Sequence, residues 1–182
     1  MEQTIRAVVL SLHLVGAAGL FASIGVEAAL LRALRRAPTL AAARDAIDGF
    51  GLNRVLGPPC LVALILSGGW LARGLSFASP WLLSGLFALV VNIAVGAAVT
   101  GRLIVGLQRD LAGAEGPTTP TVRDRANALS LDLSFATRAG VTLLALTSMA
   151  TKPDPFGIAV LAAGIVSLVA LGLLASRQMR TS

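Results

Sequence analysis

Long apolar runs alternate with short arginine-rich segments along the whole chain. An α-helix rises about 1.5 Å per residue, so about 20 apolar residues cross a hydrocarbon layer of about 30 Å. Five runs reach this length, and none shows the residue-by-residue alternation of barrel strands. The pattern predicts one all-α membrane domain over 1–182, a polytopic bundle of five transmembrane helices. We expect these helices at about 7–31, 56–77, 80–103, 128–150 and 156–176.

Prolines set the expected ends of several helices. Pro58 and Pro59 are predicted to open the second helix and Pro80 the third, since proline is tolerated in a first helical turn. The segment "KPDP" is expected to stop the fourth helix, because proline cannot continue one. Only a few residues around "SFASP" separate the second and third helices, which predicts a tight antiparallel hairpin.

The first cytoplasmic loop is expected at 32–55. Thr39 is a candidate N-cap and Gly51 a candidate stop, which predicts a short helix lying at the membrane interface. One face of this helix would carry Leu40, Ile47 and Phe50.

The second cytoplasmic loop is expected at 104–127. Its segment "LAGAEGPTTPT" is interpreted as a flexible linker. The following "TVRD", residues 121–124, is a variant of the capping box, which usually has Glu or Gln at its last position. The fourth helix is therefore predicted to start well outside the bilayer and to continue into it.

The distribution of basic residues predicts the orientation. Eleven basic residues fall on one side and three on the other, which places the N-terminus outside and the C-terminus in the cytoplasm. Trp70 and Trp81 then lie at the outer interface, which indole rings prefer. The cytoplasmic set is Arg32, Arg35, Arg36, Arg44, Arg54, Arg102, Arg109, Arg123, Arg125, Arg177 and Arg180. The outer set is Arg6, Arg73 and Lys152; Arg138 lies within a predicted helix and is set aside.

Composition agrees with a lipid environment. The chain is 55% hydrophobic and 13% charged, against about 45–50% and about 25% in soluble domains. Its 15 Lys+Arg exceed its 9 Asp+Glu, but the arginines flank apolar runs, so we expect the lipid bilayer and no nucleic acid as partner. One cysteine and one histidine exclude an internal disulfide and a His/Cys metal cluster from a single chain.

The first helix contains two ionisable residues, His13 and Glu27, within an otherwise apolar run. They lie fourteen residues and some 40° apart, so they share one face, at opposite halves of the bilayer. His13 is interpreted either as a neutral imidazole hydrogen-bonded to another helix or as a ligand of haem b or a proton relay. No cofactor is predicted; haem is the alternative, and Met149 or a partner subunit would supply its second ligand.

Two further polar residues lie within predicted helices. Arg138 is expected at the depth of Glu27, so the two are predicted to form a buried ion pair. A substrate or proton site at the same place is the alternative. Asn92, halfway along the third helix, is predicted to hydrogen-bond across to another helix, or to line a ligand or proton site.

Short motifs carry a resemblance to known proteins. The segments "LHLVGAAGLF", "LGPPCLVALILSGGW" and "MATKPDP" resemble uncharacterised bacterial integral membrane proteins with several helices. The resemblance implies a multi-pass protein of the bacterial inner membrane and supplies no activity. The histidine of the first helix also resembles that of copper-resistance D type membrane domains, which generally carry further histidines or methionines that this sequence lacks.

These observations predict a membrane protein that is not an enzyme. We expect a structural or accessory subunit or a small-molecule binder, in a homo-oligomer or a larger membrane complex. The alternatives are a haem-binding redox protein using His13 and a small oligomeric transporter using Glu27 and Arg138.

Overall fold

The computed structural model describes residues 1–76 and 79–181, with side chains up to 172. Phe77 and Ala78 of the predicted hairpin, and the side chains of Arg177 and Arg180 used for the orientation, lie outside the described residues. The described chain is all-α, and five helices are long and apolar enough to cross a membrane. Its elements are α1 (Glu2–Arg36), α2 (Leu40–Leu71), α3 (Pro80–Val95), a π-helical turn (Gly96–Gly101), α4 (Arg102–Leu111), α5 (Pro120–Ala126), α6 (Leu129–Thr151) and α7 (Pro155–Thr181).

The chain forms two compact units, each built from separate stretches of sequence. Unit 1 contains Met1–Ser76 and Arg102–Ala128, and unit 2 contains Phe77–Gly101 and Leu129–Ser182. Unit 1 therefore holds α1, α2, α4 and α5, and unit 2 holds α3, the π-turn, α6 and α7. The prediction of one domain over 1–182 stays a prediction.

Unit 1 is organised around an antiparallel hairpin of α1 and α2. Residues equidistant from the connection at 37–39 face each other, because that connection is only three residues long. Thr39 caps α2 by accepting a hydrogen bond from the Ala42 backbone N–H at 3.2 Å, as predicted. The helix then passes Gly51 and both prolines, Pro58 and Pro59, without a break. The expected separate interfacial helix is wrong.

Most of the packed core of unit 1 lies in the segments that were predicted to be loops, 32–55 and 104–127. We call residues 28–54 and 102–128 the cap. Leu107 is fully buried, Ile47 and Leu111 are each 1% exposed, and Leu34 is 2% exposed. Leu40, Ile47 and Phe50 do share a face, as predicted, but this face is buried inside the protein instead of lying on a membrane surface. The core also includes Leu31, Ala43, Ile104, Val122 and Ala126.

Arginine side chains close the cap by bonding to helix ends. Arg44 donates to the carbonyl of Leu111 at 2.8 and 3.1 Å and to that of Ala114 at 2.6 Å. Arg35 donates to the carbonyl of Ala126 at 2.9 Å. The last carbonyls of a helix lack partners within it, so each arginine satisfies groups that the helix itself leaves open.

The segment predicted as a flexible linker is tied to the α1–α2 connection. Gly116 has φ +100°, which favours glycine, and its carbonyl accepts from the Leu40 backbone N–H at 2.9 Å. Thr118 is buried and donates its hydroxyl proton to the Ala37 carbonyl at 2.8 Å. The cap of α5 is Thr119, which accepts from the Val122 backbone N–H at 3.4 Å, and not the "TVRD" segment.

Unit 2 packs α3 and the π-turn against α6, and α6 against α7. Pro80 occupies the first turn of α3, as predicted. Lys152, with φ +47°, ends α6, and Asp154 accepts from the Gly157 backbone N–H at 2.7 Å at the start of α7, which confirms the break expected at "KPDP". No residue between 155 and 172 of α7 is buried.

Candidate functional site

His13 is held by α2 within unit 1. Its Nδ1 lies 3.1 Å from Ser67 Oγ, and the Ser67 hydroxyl donates to the Ala63 carbonyl. A hydroxyl has only one proton, so Ser67 Oγ accepts the hydrogen bond and His13 Nδ1 donates it. Gly68 provides the space for the ring, since a Cβ there would lie 3.1 Å from His13 Cε1. The structure therefore provides the neighbouring-helix partner expected for a structural imidazole.

The half of the same hairpin nearer the 37–39 connection also contains polar residues. Ser23, 2% exposed, donates to Asn53 Oδ1 at 2.5 Å. Gly57 packs beside it, since a Cβ on this glycine would lie 3.5 Å from Ser23 Oγ. Glu27 lies one turn further along α1 and is 1% exposed. The face shared by His13 and Glu27 is thus the face that packs on α2.

The small residues of α1 divide between two faces. Gly16 and Gly19 face α2, where a Cβ on Gly16 would lie 3.2 Å from the Cys60 carbonyl oxygen. A Cβ on Gly19 would overlap with Cys60 Sγ. Ala18 and Ala22, in contrast, are exposed. The close approach of α1 and α2 therefore uses Gly16 and Gly19 and not Ala18 and Ala22.

Unit 2 contains a second buried polar array, which we call the polar ladder. It consists of Asn92, Gly96 and Thr100 on one side and Ser134, Arg138 and Thr142 on α6. Each side follows an i, i+4 spacing, and the two sides run antiparallel. Asn92 Nδ2 donates to Thr142 Oγ1 at 2.9 Å, and the hydroxyls of Thr100 and Ser134 are 2.9 Å apart. The interhelical hydrogen bond predicted for Asn92 is therefore present.

Arg138 lies at the middle of the polar ladder and is 9% exposed. Its guanidinium packs against the backbone of the π-turn, because a Cβ on Gly96 would lie 3.4 Å from Arg138 Nε and 3.5 Å from Cζ. The Arg138 carbonyl accepts from Thr142 Oγ1 at 2.7 Å. Backbone and side chain of Arg138 are thus both integrated into the contact between α3 and α6.

The π-turn explains how Asn92 and Thr100 face the same helix. Eight residues of regular α-helix turn through about 800°, which would place the second residue about 80° off the face of the first. A π-turn closes i→i+5 bonds and so turns less per residue, which removes much of this offset. The π-turn keeps Asn92, Gly96 and Thr100 on one face, where all three meet α6.

Two buried oxygen atoms of unit 2 stand out from this network. Within the part of the chain that the structure describes, Asn92 Oδ1 and Ser148 Oγ have no hydrogen-bond partner. Buried polar atoms are normally bonded. Asn92 is 5% exposed and its amide nitrogen is fully engaged with Ala88 and Thr142. Among the described residues of the polar ladder, Asn92 Oδ1 is therefore the acceptor that remains available to a ligand.

The four predicted site residues fall into two pairs. His13 and Glu27 belong to the α1–α2 contact of unit 1, while Asn92 and Arg138 belong to the polar ladder of unit 2. Neither charge is isolated, because Glu27 and Arg138 each take part in a polar interaction. The ion pair predicted between them stays a prediction.

The chain matches no family model, no curated protein and no solved structure. The resemblance to bacterial multi-helix membrane proteins therefore stays an expectation. Among the described residues, no three His, Cys, Asp or Glu side chains come together as a metal site. Met149, the candidate second haem ligand, lies in unit 2, where its methyl group occupies the space beside Gly85.

Sequence reasoning missed Ser67, Thr142 and Ser134. For Ser67 a signal exists, because Ala63 and His13 are equidistant from the 37–39 connection once α1 and α2 are read as one hairpin, and Ser67 lies one helical turn beyond Ala63. The break assumed at Pro58 concealed this relation. For Thr142 and Ser134 the signal is their i, i+4 spacing with Arg138.

Proposed function

We propose that this chain is a multi-pass membrane protein without a catalytic site of its own, and that it serves as a structural or accessory subunit of a membrane complex. The observation that carries the proposal is the use made of its polar side chains. His13 and Asn92, the residues best suited to bind a ligand, each bond to a serine or threonine of a neighbouring helix. Such bonds fix helix positions in an apolar medium.

The exposure of α7 supports an accessory role. This helix packs on α6 through Gly140, with Ile165 and Val169 in contact range, and it also touches α3. Its exposed residues are open to lipid or to another membrane protein. Small residues on its exposed side, Ala163 and Gly164, would allow close approach of a further helix.

Purification in mild detergent tests the accessory role. We expect the chain to co-purify with a larger membrane complex at fixed stoichiometry, measured by native mass spectrometry. Gly164→Phe should release the complex, since a Cβ at Gly164 meets nothing within 4 Å in the chain itself and the substitution leaves the fold intact. Val166→Phe is the matched control, because Val166 is also exposed but lies about 160° around α7 from Gly164. A chain that purifies alone from its native membrane would refute the proposal.

We further propose an N-terminus outside and a C-terminus in the cytoplasm of a bacterial inner membrane. The arginine distribution supports this orientation, and in it the cap lies in the cytoplasm. Single cysteines introduced at Glu2 and Glu115 of a Cys60→Ala background test it. A membrane-impermeant maleimide should label the first in whole cells and the second only after lysis; the reverse pattern would invert the topology.

Transport through the polar ladder is the second candidate function. It is favoured by the nine-tenths burial of Arg138 and by the open acceptor at Asn92 Oδ1, and Glu27 would be the second ionisable group. It predicts ion- or substrate-dependent flux in proteoliposomes that Glu27→Gln and Asn92→Leu change. Unchanged flux in both variants would remove this candidate.

Haem binding at His13 is a third candidate. The hydrogen bond from Nδ1 to Ser67 leaves Nε2 as the nitrogen with a lone pair, which is the arrangement usual for a histidine ligand. A second axial ligand would have to come from another subunit or from Met149. The candidate predicts a Soret band that His13→Ala abolishes; a colourless, folded preparation would refute it.

A further inference from the structure

Two exposed arginines of unit 1 lie at the same level of the cap. The hydrogen bonds of Arg44 to Leu111 hold α2 and α4 side by side. Arg54 lies ten residues further along α2 and Arg102 nine residues back along α4, which corresponds to about 15 and about 14 Å. Along both helices this direction leads away from the 37–39 connection and toward the apolar runs. The two arginines therefore lie at about the same height along the helix axes.

The exposed surface changes character at this level. Val55 and Leu56, the residues that follow Arg54, are 68% and 40% exposed, and Leu52 before it is 56% exposed. Exposed apolar side chains continue along α2 through Val62, Ile65 and Leu66. Arg54 and Arg102 therefore mark the edge between the charged surface of the cap and the apolar surface of the helices.

Exposed charges are segregated between the two ends of the cap. We call residues 28–29, 47–54 and 102–105 the rim, and residues 30–46 and 106–125 the outer part, because residues equidistant from the 37–39 connection lie at one level. The exposed charged residues of the rim are Arg54, Arg102 and Asp48. Those of the outer part are Arg32, Arg36, Arg109, Arg123, Arg125, Asp45, Asp110, Glu115 and Asp124. Positive charge thus exceeds negative charge two to one at the rim, whereas five positive and four negative residues nearly balance in the outer part.

We propose that Arg54 and Arg102 each bind the phosphate group of an anionic phospholipid at the rim of the cap. Guanidinium groups present donors in a planar fork that fits phosphate oxygens, and their alkyl stems can lie along apolar surface. Anionic headgroups attract basic residues that lie beside a transmembrane segment, and this attraction falls off within a Debye length. The nearly balanced outer part of the cap has a negative residue for almost every positive one and offers a weaker attraction.

The test compares two double variants that remove the same charge. Arg54→Gln/Arg102→Gln alters the rim, and Arg109→Gln/Arg123→Gln alters the outer part. Each delipidated protein in neutral detergent is titrated with phosphatidylglycerol, with phosphatidylcholine and with inorganic phosphate, and binding is followed by the shift in melting temperature and by native mass spectrometry. Unfolding without added lipid verifies that each variant is folded.

We expect phosphatidylglycerol to bind the wild type and the outer variant alike, and to bind the rim variant about thirtyfold more weakly. If both variants bind phosphatidylglycerol equally weakly, the effect is one of net charge alone and the proposal is overturned. Equal binding of phosphatidylcholine would overturn it as well, and saturation by inorganic phosphate alone would assign the site to a free anion. The inference rests on the proposed membrane location but not on an accessory role, so its failure leaves the co-purification test unaffected.

Discussion

Two glycines of α1 offer a sharp test of the α1–α2 contact. A Cβ on Gly19 would overlap with Cys60 Sγ, whereas a Cβ on Gly25 meets nothing within 4 Å. The same change, glycine to alanine, can therefore be made twice in one helix, six residues apart. Only the first substitution places an atom into the contact with α2.

The two substitutions are expected to change the free energy of unfolding in opposite directions. Alanine is favoured over glycine inside a helix by about 0.8–1 kcal/mol, and Gly25→Ala should gain this amount. Gly19→Ala has the same gain but forces an extra carbon into a packed contact, which costs about 1–3 kcal/mol. Its free energy of unfolding should therefore lie about 1–3 kcal/mol below that of Gly25→Ala.

Removing the sulfur should relieve the overlap. The assay is reversible unfolding in mixed micelles, followed by circular dichroism, for Gly19→Ala, Cys60→Ala and the double variant. The double variant should be more stable than the sum of the two single effects by at least about 1 kcal/mol, because alanine has no γ atom to collide with. If Gly19→Ala is as stable as Gly25→Ala, or if the two changes are additive, the described contact is wrong.

Three further perturbations test other parts of the fold. Arg44→Gln should lower the free energy of unfolding by about 1.5–3 kcal/mol, because charged hydrogen bonds to two carbonyls are lost. Arg109→Gln, at an exposed position, is the control and should change the free energy of unfolding by less than about 0.5 kcal/mol. Deletion of Ala97 should convert the π-turn to α-helix and leave Thr100 close to the face of Asn92, because seven α-helical residues turn through about 700°. A nearly unchanged melting temperature would agree with this account of the π-turn, and a large fall would contradict it. Glu27→Arg with Arg138→Glu should restore the folding lost in either single variant, and a double variant no better than the singles would refute the predicted ion pair.

The sequence predicts the apolar helices well, because hydropathy and length decide them. The five runs are found within long helices, and Thr39, Pro80 and "KPDP" mark ends that the structure has. The loops are predicted badly for one reason. High arginine content was interpreted as solvation, whereas Arg44 and Arg35 use their charge to bond helix ends and their neighbours Ile47 and Leu107 form the core.

The candidate sites depend on register, which a single sequence leaves open. His13 was recognised as unusual, but its partner requires knowing that α2 is continuous through Pro58. Asn92 and Arg138 were recognised separately. The π-turn at Gly96–Gly101 brings Thr100 onto the face of Asn92, and this face contacts α6 on both sides of Arg138. Two glycines within an apolar run are too common to predict such a turn.

The cap also has a consequence for biosynthesis. Its core joins α1 and α2 to α4 and α5, and about 70 residues separate Phe50 from Val122. At about 5–20 residues per second, the ribosome needs several seconds to supply the missing half. During that interval the apolar face of Ile47 and Phe50 lacks the partners that α4 and α5 supply. Synthesis of this protein therefore includes a stage in which a helical hairpin waits, with its core uncovered, for helices that follow the third apolar run.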